Sequence, residues 1–172
     1  RAGSGASLAD QAAFAEELGF HSFWLPENHF GDANSLPAPL LLLAAASAKT
    51  RHIGLGTGSY LLPIRHPIQM AEEVAVLDQL SEGRVILGVG RGYLAGMFAA
   101  FDMPSRDKRR RFENALERMI SAWRGEPLAH DPGTGSENKG AGDPIYLAPM
   151  PVQKPHPPVW VAAFGPKALE QA

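Results

Sequence analysis

An apolar segment at residues 85–89, interrupted only by Gly88, runs directly into Gly90-Arg91-Gly92. A run that is apolar on both faces is typical of a fully buried strand, and such strands belong to parallel sheets. The two glycines allow the backbone to turn sharply and to approach a ligand, while Arg91 places a cation at the carboxyl end of the strand. Parallel α/β folds build binding and catalytic sites at that end. The segment therefore predicts both a fold class and the position of a site.

The same pattern, a buried strand followed by glycine or polar residues, recurs along the chain. Strands are predicted at residues 20–25, 53–57, 85–89 and 158–163, and helices at 8–18, 37–48, 67–80 and 106–124, with Ser7 and Ser105 as N-caps. This alternation predicts a parallel sheet with right-handed crossovers, an α/β fold of the (β/α)8 TIM-barrel type. A closed barrel needs about 250 residues. A chain of 172 residues is therefore expected to form an incomplete barrel of about four to five βα units.

Composition excludes several classes of function. The net charge of -2 and the pI near 6.3 give no electrostatic case for binding nucleic acid or an anionic membrane. No apolar run approaches transmembrane length and no signal peptide is expected. The absence of cysteine excludes a disulfide framework and fits a cytoplasmic protein, and the six histidines lack the spacing of a metal site. We expect one partial barrel domain at residues 1–172, with a Pro/Gly-rich insertion at about 125–158 that shapes the substrate pocket or forms a lid.

Polar or aromatic residues follow each predicted strand. They are Glu27, Asn28 and His29, then Ser59 and Tyr60, then Arg91 and Tyr93, and finally Phe164 and Gly165. In a parallel barrel these residues converge on one face, so the sequence predicts a single pocket for a small-molecule substrate.

Three of these features allow more than one interpretation. The segment 90–95 fits a loose dinucleotide-binding turn, a tight turn with no ligand, or the phosphate or flavin edge of a cofactor site. His29 fits a base, a hydrogen-bond donor to a ligand, a metal ligand, or a histidine satisfied by local backbone. The arginines at 109–111 fit a solvated helix face, or one of them reaches a phosphate group.

Taken together, the residues resemble the bacterial luciferase-like family of flavin-dependent monooxygenases. The matching blocks occur in the family's order and cover most of the chain, at residues 17–30, 54–67, 71–84, 88–93 and 153–161. The family often has two histidines directly after the glutamate that follows the strand predicted here at residues 20–25. Here the first of those positions is Asn28, so light emission is not expected.

The resemblance implies an oxidoreductase that uses reduced FMN and molecular oxygen to oxidise a small organic substrate. It implies catalytic roles at Asn28 and His29, a non-proline cis peptide at Gly58-Ser59, and binding of the flavin phosphate by Arg91. The full set of implied cofactor-binding residues is Gly58, Ser59, Gly90, Arg91, Tyr93, Arg109 and Gly165. Two alternatives remain open, a hydride-transfer oxidoreductase that uses a deazaflavin coenzyme and a non-catalytic flavin-binding protein. A flavin reductase is an expected partner, and open sheet edges favour a homo-oligomer.

Overall fold

A computed structural model describes residues 5–31, 35–130, 143–165 and 169–170. The helices are α1 (Gly5–Glu17), α2 (Pro39–Ser47), α3 (Pro67–Leu80), α4 (Ala95–Ala100) and α5 (Lys108–Trp123), with 3-10 turns at Leu62–Ile64 and Ser105–Asp107. The strands are β1 (Ser22–Leu25), β2 (Gly54–Thr57), β3 (Tyr60–Leu61), β4 (Val85–Gly90), β5 (Ala129–His130), β6 (Pro144–Ile145) and β7 (Val159–Val161). No helix in these ranges is long and apolar enough to cross a bilayer.

The main sheet is parallel throughout. β1 pairs with β2, β2 and β3 pair with β4, and β7 pairs with β4. The four predicted strands and the predicted α/β class of TIM-barrel type are thereby confirmed. All carboxyl ends lie at one edge of the sheet, which is where the sequence predicts a site.

The local signals for helix starts were less reliable. α1 begins before Ser7, and α5 begins at Lys108 after a 3-10 turn that includes Ser105, so neither serine is the predicted N-cap. α4 was not predicted, because its six residues are too few to show a 3.6-residue period. Gly19 ends α1 as predicted, with φ of 81° and an amide that donates to the carbonyl of Glu16.

One face of the sheet packs against the helices and forms the main core. Leu55, Leu87 and Val89 on this face are fully buried, and they lie in one cluster with side chains of α3 and α5. Trp123 of α5 is 1% exposed, and its indole Nε1 donates to the carbonyl of Ala71 in α3 at 3.0 Å. Removing a buried side chain of this size costs about 3 to 5 kcal/mol, so this helical layer fixes the outer side of the sheet.

The opposite face carries two tryptophans and a row of glycines. Trp24 of β1 and Trp160 of β7 have ring centroids 5.1 Å apart, although β2 and β4 lie between their strands. The rings meet because the intervening positions are Gly56 and Gly88. A Cβ at Gly56 would overlap the Trp24 ring, and one at Gly88 would overlap the carbonyl oxygen of Thr57. Glycine is therefore required here for close approach.

The amino-terminal edge of the sheet is tied together by charged side chains that satisfy backbone groups. The Arg84 guanidinium donates to carbonyl oxygens of Ser47, Thr50, Ile53 and Ser81. The Glu16 carboxylate accepts from the backbone amides of residues 51, 52 and 53. Burial lowers the pKa of Arg84. Both side chains stabilise the edge opposite the predicted site.

The predicted insertion at 125–158 is described only at its two ends. β5 and β6 form a short antiparallel pair. Beyond them, Gln153 donates from its backbone amide and its side chain to the buried carboxylate of Asp78 in α3, at 2.9 and 2.7 Å. Residues 131–142 of the insertion lie outside the described residues. A role in shaping the pocket stays a prediction.

Candidate active site

The register of the sheet changes where β2 becomes β3. Gly56 lies opposite Ile86, whereas Tyr60 lies opposite Val89, so the β2–β3 segment accommodates one extra residue. This is a β-bulge, a feature that re-aims side chains at the rim of a barrel. The Gly58-Ser59 peptide within it is cis, as the resemblance implied.

The bulge brings Ser59 against the end of β4. A Cβ at Gly90 would overlap the Ser59 hydroxyl. Gly88 and Gly90 are buried against Thr57 and Ser59, whereas Gly58 is exposed and Ser59 is half-buried. The exposed backbone at Gly58-Ser59 can accept a flat ring system at close range.

Arg91 and Tyr93 follow immediately. Arg91 is half-buried, and Gly92 has φ of 69°. A Cβ at Gly92 would crowd Met97 and Phe98 of α4, so the glycine lets the chain turn closely over that helix. The Tyr93 side chain is 84% exposed. A cation and an aromatic ring thus follow the end of β4, beside the exposed Gly58-Ser59 backbone.

A buried carboxylate organises the loop after β1. The side chain of Glu27 is fully buried, and its Oε2 accepts from the backbone amide of Leu61 at 2.8 Å. Its Oε1 lies 2.7 Å from an Arg65 guanidinium nitrogen and 2.5 Å from His29 Nε2. We refer to Glu27, His29 and Arg65 as the Glu27 cluster. It joins the end of β1 to β3 and the segment that follows it.

His29 is held on both sides. Its side chain is 6% exposed, and its ring makes an edge contact with Phe101 at 5.0 Å between centroids. Because the Glu27 carboxylate only accepts, Nε2 carries the hydrogen of that bond. Any proton exchanged with a ligand would therefore pass through Nδ1.

Tyr60 adds a second layer around Arg65. The Arg65 guanidinium lies 4.5 Å from the Tyr60 ring centroid, and the Tyr60 hydroxyl donates to Glu73 at 3.0 Å. Burial raises the pKa of Tyr60 above its ordinary value, and the neighbouring Glu73 adds to this. Tyr60 is therefore a neutral hydrogen-bond donor at physiological pH.

Three predicted residues have other local contacts. The Asn28 side-chain oxygen accepts from the backbone amide of Leu36 at 2.8 Å, which closes the loop after β1. Arg109 lies on the exposed side of α5, with its Nε 3.0 Å from Glu113. Gly165 has φ of 84° and its carbonyl accepts from the amide of Leu169, while residues 166–168 lie outside the described ranges. Their catalytic or cofactor-binding roles stay predictions.

Comparison with known proteins identifies the family of the chain. Residues 2–172 match the model of the luciferase-like monooxygenase family. The chain belongs to this family.

Similar proteins include named flavin enzymes. The oxygenase component of flavin-dependent trigonelline monooxygenase from Acinetobacter baylyi is 32% identical over 167 residues, which are 96% of this chain and 45% of that protein. Limonene 1,2-monooxygenase from Rhodococcus erythropolis is 37% identical over 113 residues, which are 66% of this chain and 29% of that protein. The luciferase-like chain thus spans about half, or less, of the length of these curated relatives.

Solved structures show the same fold. Monooxygenase RslO1 from Streptomyces bottropensis superposes with a TM-score of 0.85 at 33% identity, covering 98% of this chain and 50% of that one. The coenzyme F420-dependent tetrahydromethanopterin reductase from Methanopyrus kandleri has a TM-score of 0.74 at 23% identity, covering 99% and 50%. At 23% identity, the likeness to the reductase shows a shared fold and nothing more.

For this member of the luciferase-like family, the structure brings most predicted residues to one edge and adds partners that sequence reasoning missed. Gly90 is the last residue of β4, and the other predicted residues at this edge follow the carboxyl ends of parallel strands, namely Asn28, His29, Gly58, Ser59, Arg91 and Tyr93. Sequence reasoning did not identify Arg65 as the partner of Glu27. The available signal was a carboxylate at a strand end, which is costly to bury unless a cation accompanies it. Among the described residues, no group of three or more His, Cys, Asp or Glu could hold a metal ion.

Proposed function

We propose that the chain contributes the flavin-binding edge of a flavin-dependent monooxygenase that uses reduced FMN and oxygen to oxidise a small organic substrate. The observation that carries the proposal is the exposed Gly58-Ser59 backbone beside the end of β4, where Arg91 follows directly, in a member of the luciferase-like family. A flat ring system needs close backbone approach, and a phosphate group needs a planar cationic fork. The residues at this edge therefore fit FMN.

Each group has a distinct part in this proposal. Gly58 and Ser59 accept the ring system, Gly90 leaves room for Ser59 beside it, and Arg91 binds the phosphate through charge-assisted hydrogen bonds. Reduced flavin, when bound, supplies the electrons with which oxygen is activated. His29 holds or moves a proton at Nδ1, because its Nε2 is committed to Glu27.

The relatives support the supply of reduced flavin by a second protein. The trigonelline enzyme is named as an oxygenase component, a name that implies a separate partner. We therefore propose a flavin reductase as the partner of the full-length protein. Homo-oligomerisation and a cytoplasmic location stay predictions.

Anaerobic titration of the purified chain, and of its full-length parent, tests the cofactor. Reduced FMN and reduced deazaflavin coenzyme are added separately and binding is followed by fluorescence, after which oxygen is admitted. Tight binding of FMN is expected, with reoxidation by oxygen at a rate that differs from that of free reduced FMN. Selective binding of the deazaflavin would favour the hydride-transfer alternative instead, and FMN binding with the reoxidation rate of the free flavin would favour a non-catalytic flavin-binding protein.

The proton role of His29 is tested separately with H29Q in the full-length parent. We expect FMN affinity to be retained and turnover to fall by about 10²- to 10⁴-fold, the usual contribution of a positioned acid or base. Unchanged turnover with bound FMN would refute the role of His29 without affecting the proposed cofactor.

A further inference from the structure

We propose that a groove between the Leu62–Ile64 turn and α5 binds a small organic anion. The groove has a volume of about 370 Å³, within the size range of small-molecule sites. None of the proposed flavin-binding residues lines it. It is therefore distinct from the proposed flavin-binding residues, although Arg65 belongs both to the groove and to the Glu27 cluster.

The charges around the groove are all of one sign. Arg65, Arg111 and Arg118 line it together with His66, and no aspartate or glutamate is among its lining residues. Arg65 is compensated by the buried carboxylate of Glu27. No ion pair within the described part of the chain includes Arg111 or Arg118. Two cations are thus left facing one concave surface.

Their neighbours on the same helix are arranged differently. Arg109 pairs with Glu113 and Arg110 pairs with Asp107, both on the exposed side of α5. Of the three arginines at 109–111, Arg109 and Arg110 are therefore paired with carboxylates on the exposed side of α5, whereas Arg111 faces the groove. Cations near a helix amino terminus oppose the helix dipole. An anion in the groove would offset that cost.

The guanidinium of Arg111 is fixed by a backbone carbonyl. Arg111 donates from Nε to the carbonyl of Pro63 at 2.7 Å, which fixes the plane of its guanidinium and leaves its terminal nitrogens available. Arg118 lies two helical turns further on, and the spacing of seven residues puts it on the same face. Asn114 lies between them and adds an amide to the rim. Planar, fixed guanidinium groups are the usual receptors for carboxylate and phosphate.

The floor of the groove determines what else the ligand carries. Pro67 and the flexible side chain of Met103 supply apolar surface, and the buried Leu62, Ile64 and Ala115 lie behind them. An inorganic ion would leave this surface in contact with water. The composition therefore favours an anion with a short apolar or aromatic body, such as an aryl carboxylate or an aryl phosphate.

Fluorescence titration with 8-anilinonaphthalene-1-sulfonate, an aromatic anion, tests the site. The first variant is R118Q, because it leaves the Arg111–Pro63 hydrogen bond intact, and R110Q on the exposed side of the same helix is the matched control. Loss of one charge-assisted contact should weaken binding about tenfold in R118Q and leave R110Q unchanged. The uncharged analogue N-phenyl-1-naphthylamine should bind both variants alike, and circular dichroism checks that they are folded.

Two outcomes would overturn the assignment. Equal affinity of R118Q and the unmodified chain for the aromatic anion would show that the dye binds elsewhere. Displacement of the dye by poly-L-glutamate, but not by benzoate or phenyl phosphate, would assign the groove to an acidic protein segment instead. Displacement by benzoate or phenyl phosphate that depends on Arg118 supports the proposal, whatever the FMN titration shows.

Discussion

Replacing Glu27 with glutamine should destabilise the fold more than any exposed charge substitution. Glutamine keeps the shape of the side chain, and its oxygen can still accept from the Leu61 amide. Its amide group, however, would point a donor at Arg65, which is itself only a donor, and His29 would keep a hydrogen bond only by moving its proton to Nδ1. The substitution therefore removes two charge-assisted hydrogen bonds and leaves a cation without its partner.

The magnitude follows from burial. Breaking a buried ion pair by removing one partner costs about 3 to 5 kcal/mol. The Arg65 side chain is 22% exposed and can regain some hydration, so we expect the lower end, about 3 kcal/mol. With a urea dependence of about 2 kcal/mol per molar, the unfolding midpoint should fall by about 1.5 M.

Urea unfolding followed by tryptophan fluorescence measures this change. The matched control is E113Q, which removes the carboxylate of the exposed Arg109–Glu113 pair and should cost well under 1 kcal/mol. R65M keeps Glu27 in place and is the second variant, in case E27Q does not fold. If the free energy of unfolding falls no further in E27Q than in E113Q, the Glu27 cluster does not hold the loop after β1 to β3.

Three further predictions concern the flavin edge, the glycine row and the amino-terminal edge. R91A should weaken FMN binding by about 1.5 to 3 kcal/mol in a fluorescence titration, the scale of a charge-assisted hydrogen bond, and unchanged affinity would remove Arg91 from the phosphate site. G88A should lower stability by at least about 1 to 3 kcal/mol, because its Cβ would overlap a backbone oxygen. G96A, with open space in α4, should instead raise stability by up to about 1 kcal/mol. Equal melting temperatures for G88A and G96A would contradict this reasoning. Burial alone would raise the pKa of Glu16, but hydrogen bonds from the amides of residues 51–53 lower it from 4.5 to about 2. Its stabilisation is therefore present above pH 4.5 and lost as the pH falls towards 2, so urea midpoints of the unmodified chain and E16Q should converge over that range, and parallel curves would refute the reasoning.

The order of strands and the edge that carries the site could be predicted because both follow from short-range signals. A strand buried on both faces appears as an apolar run, and residues 85–89 show it directly. Glycines after a strand mark the point where the chain turns, as at Gly92. The cis peptide at Gly58-Ser59 came from the resemblance and not from local sequence.

The contacts between elements could not be predicted in the same way. The partner of Glu27 is Arg65, and only the pairing of β1, β2 and β4 brings the two together. The resemblance pointed to Arg109 within a run of three arginines, whereas Arg111 is the member that reaches inward, to the carbonyl of Pro63. Which residue of a basic run faces inward depends on where the helix packs, and composition carries no information about that.

The two edges of the sheet use charged side chains for different purposes. At the amino-terminal edge, Glu16 and Arg84 each bind several backbone groups, so these charges complete the hydrogen bonding of the loops. At the carboxyl edge, Glu27 binds one backbone amide and two titratable or cationic side chains. A carboxylate that holds a histidine and an arginine also sets which nitrogen of that histidine is available to a ligand. The Glu27 cluster therefore links the stability of the loop after β1 to the chemistry proposed for His29, so a substitution at Glu27 that preserves folding should still alter turnover.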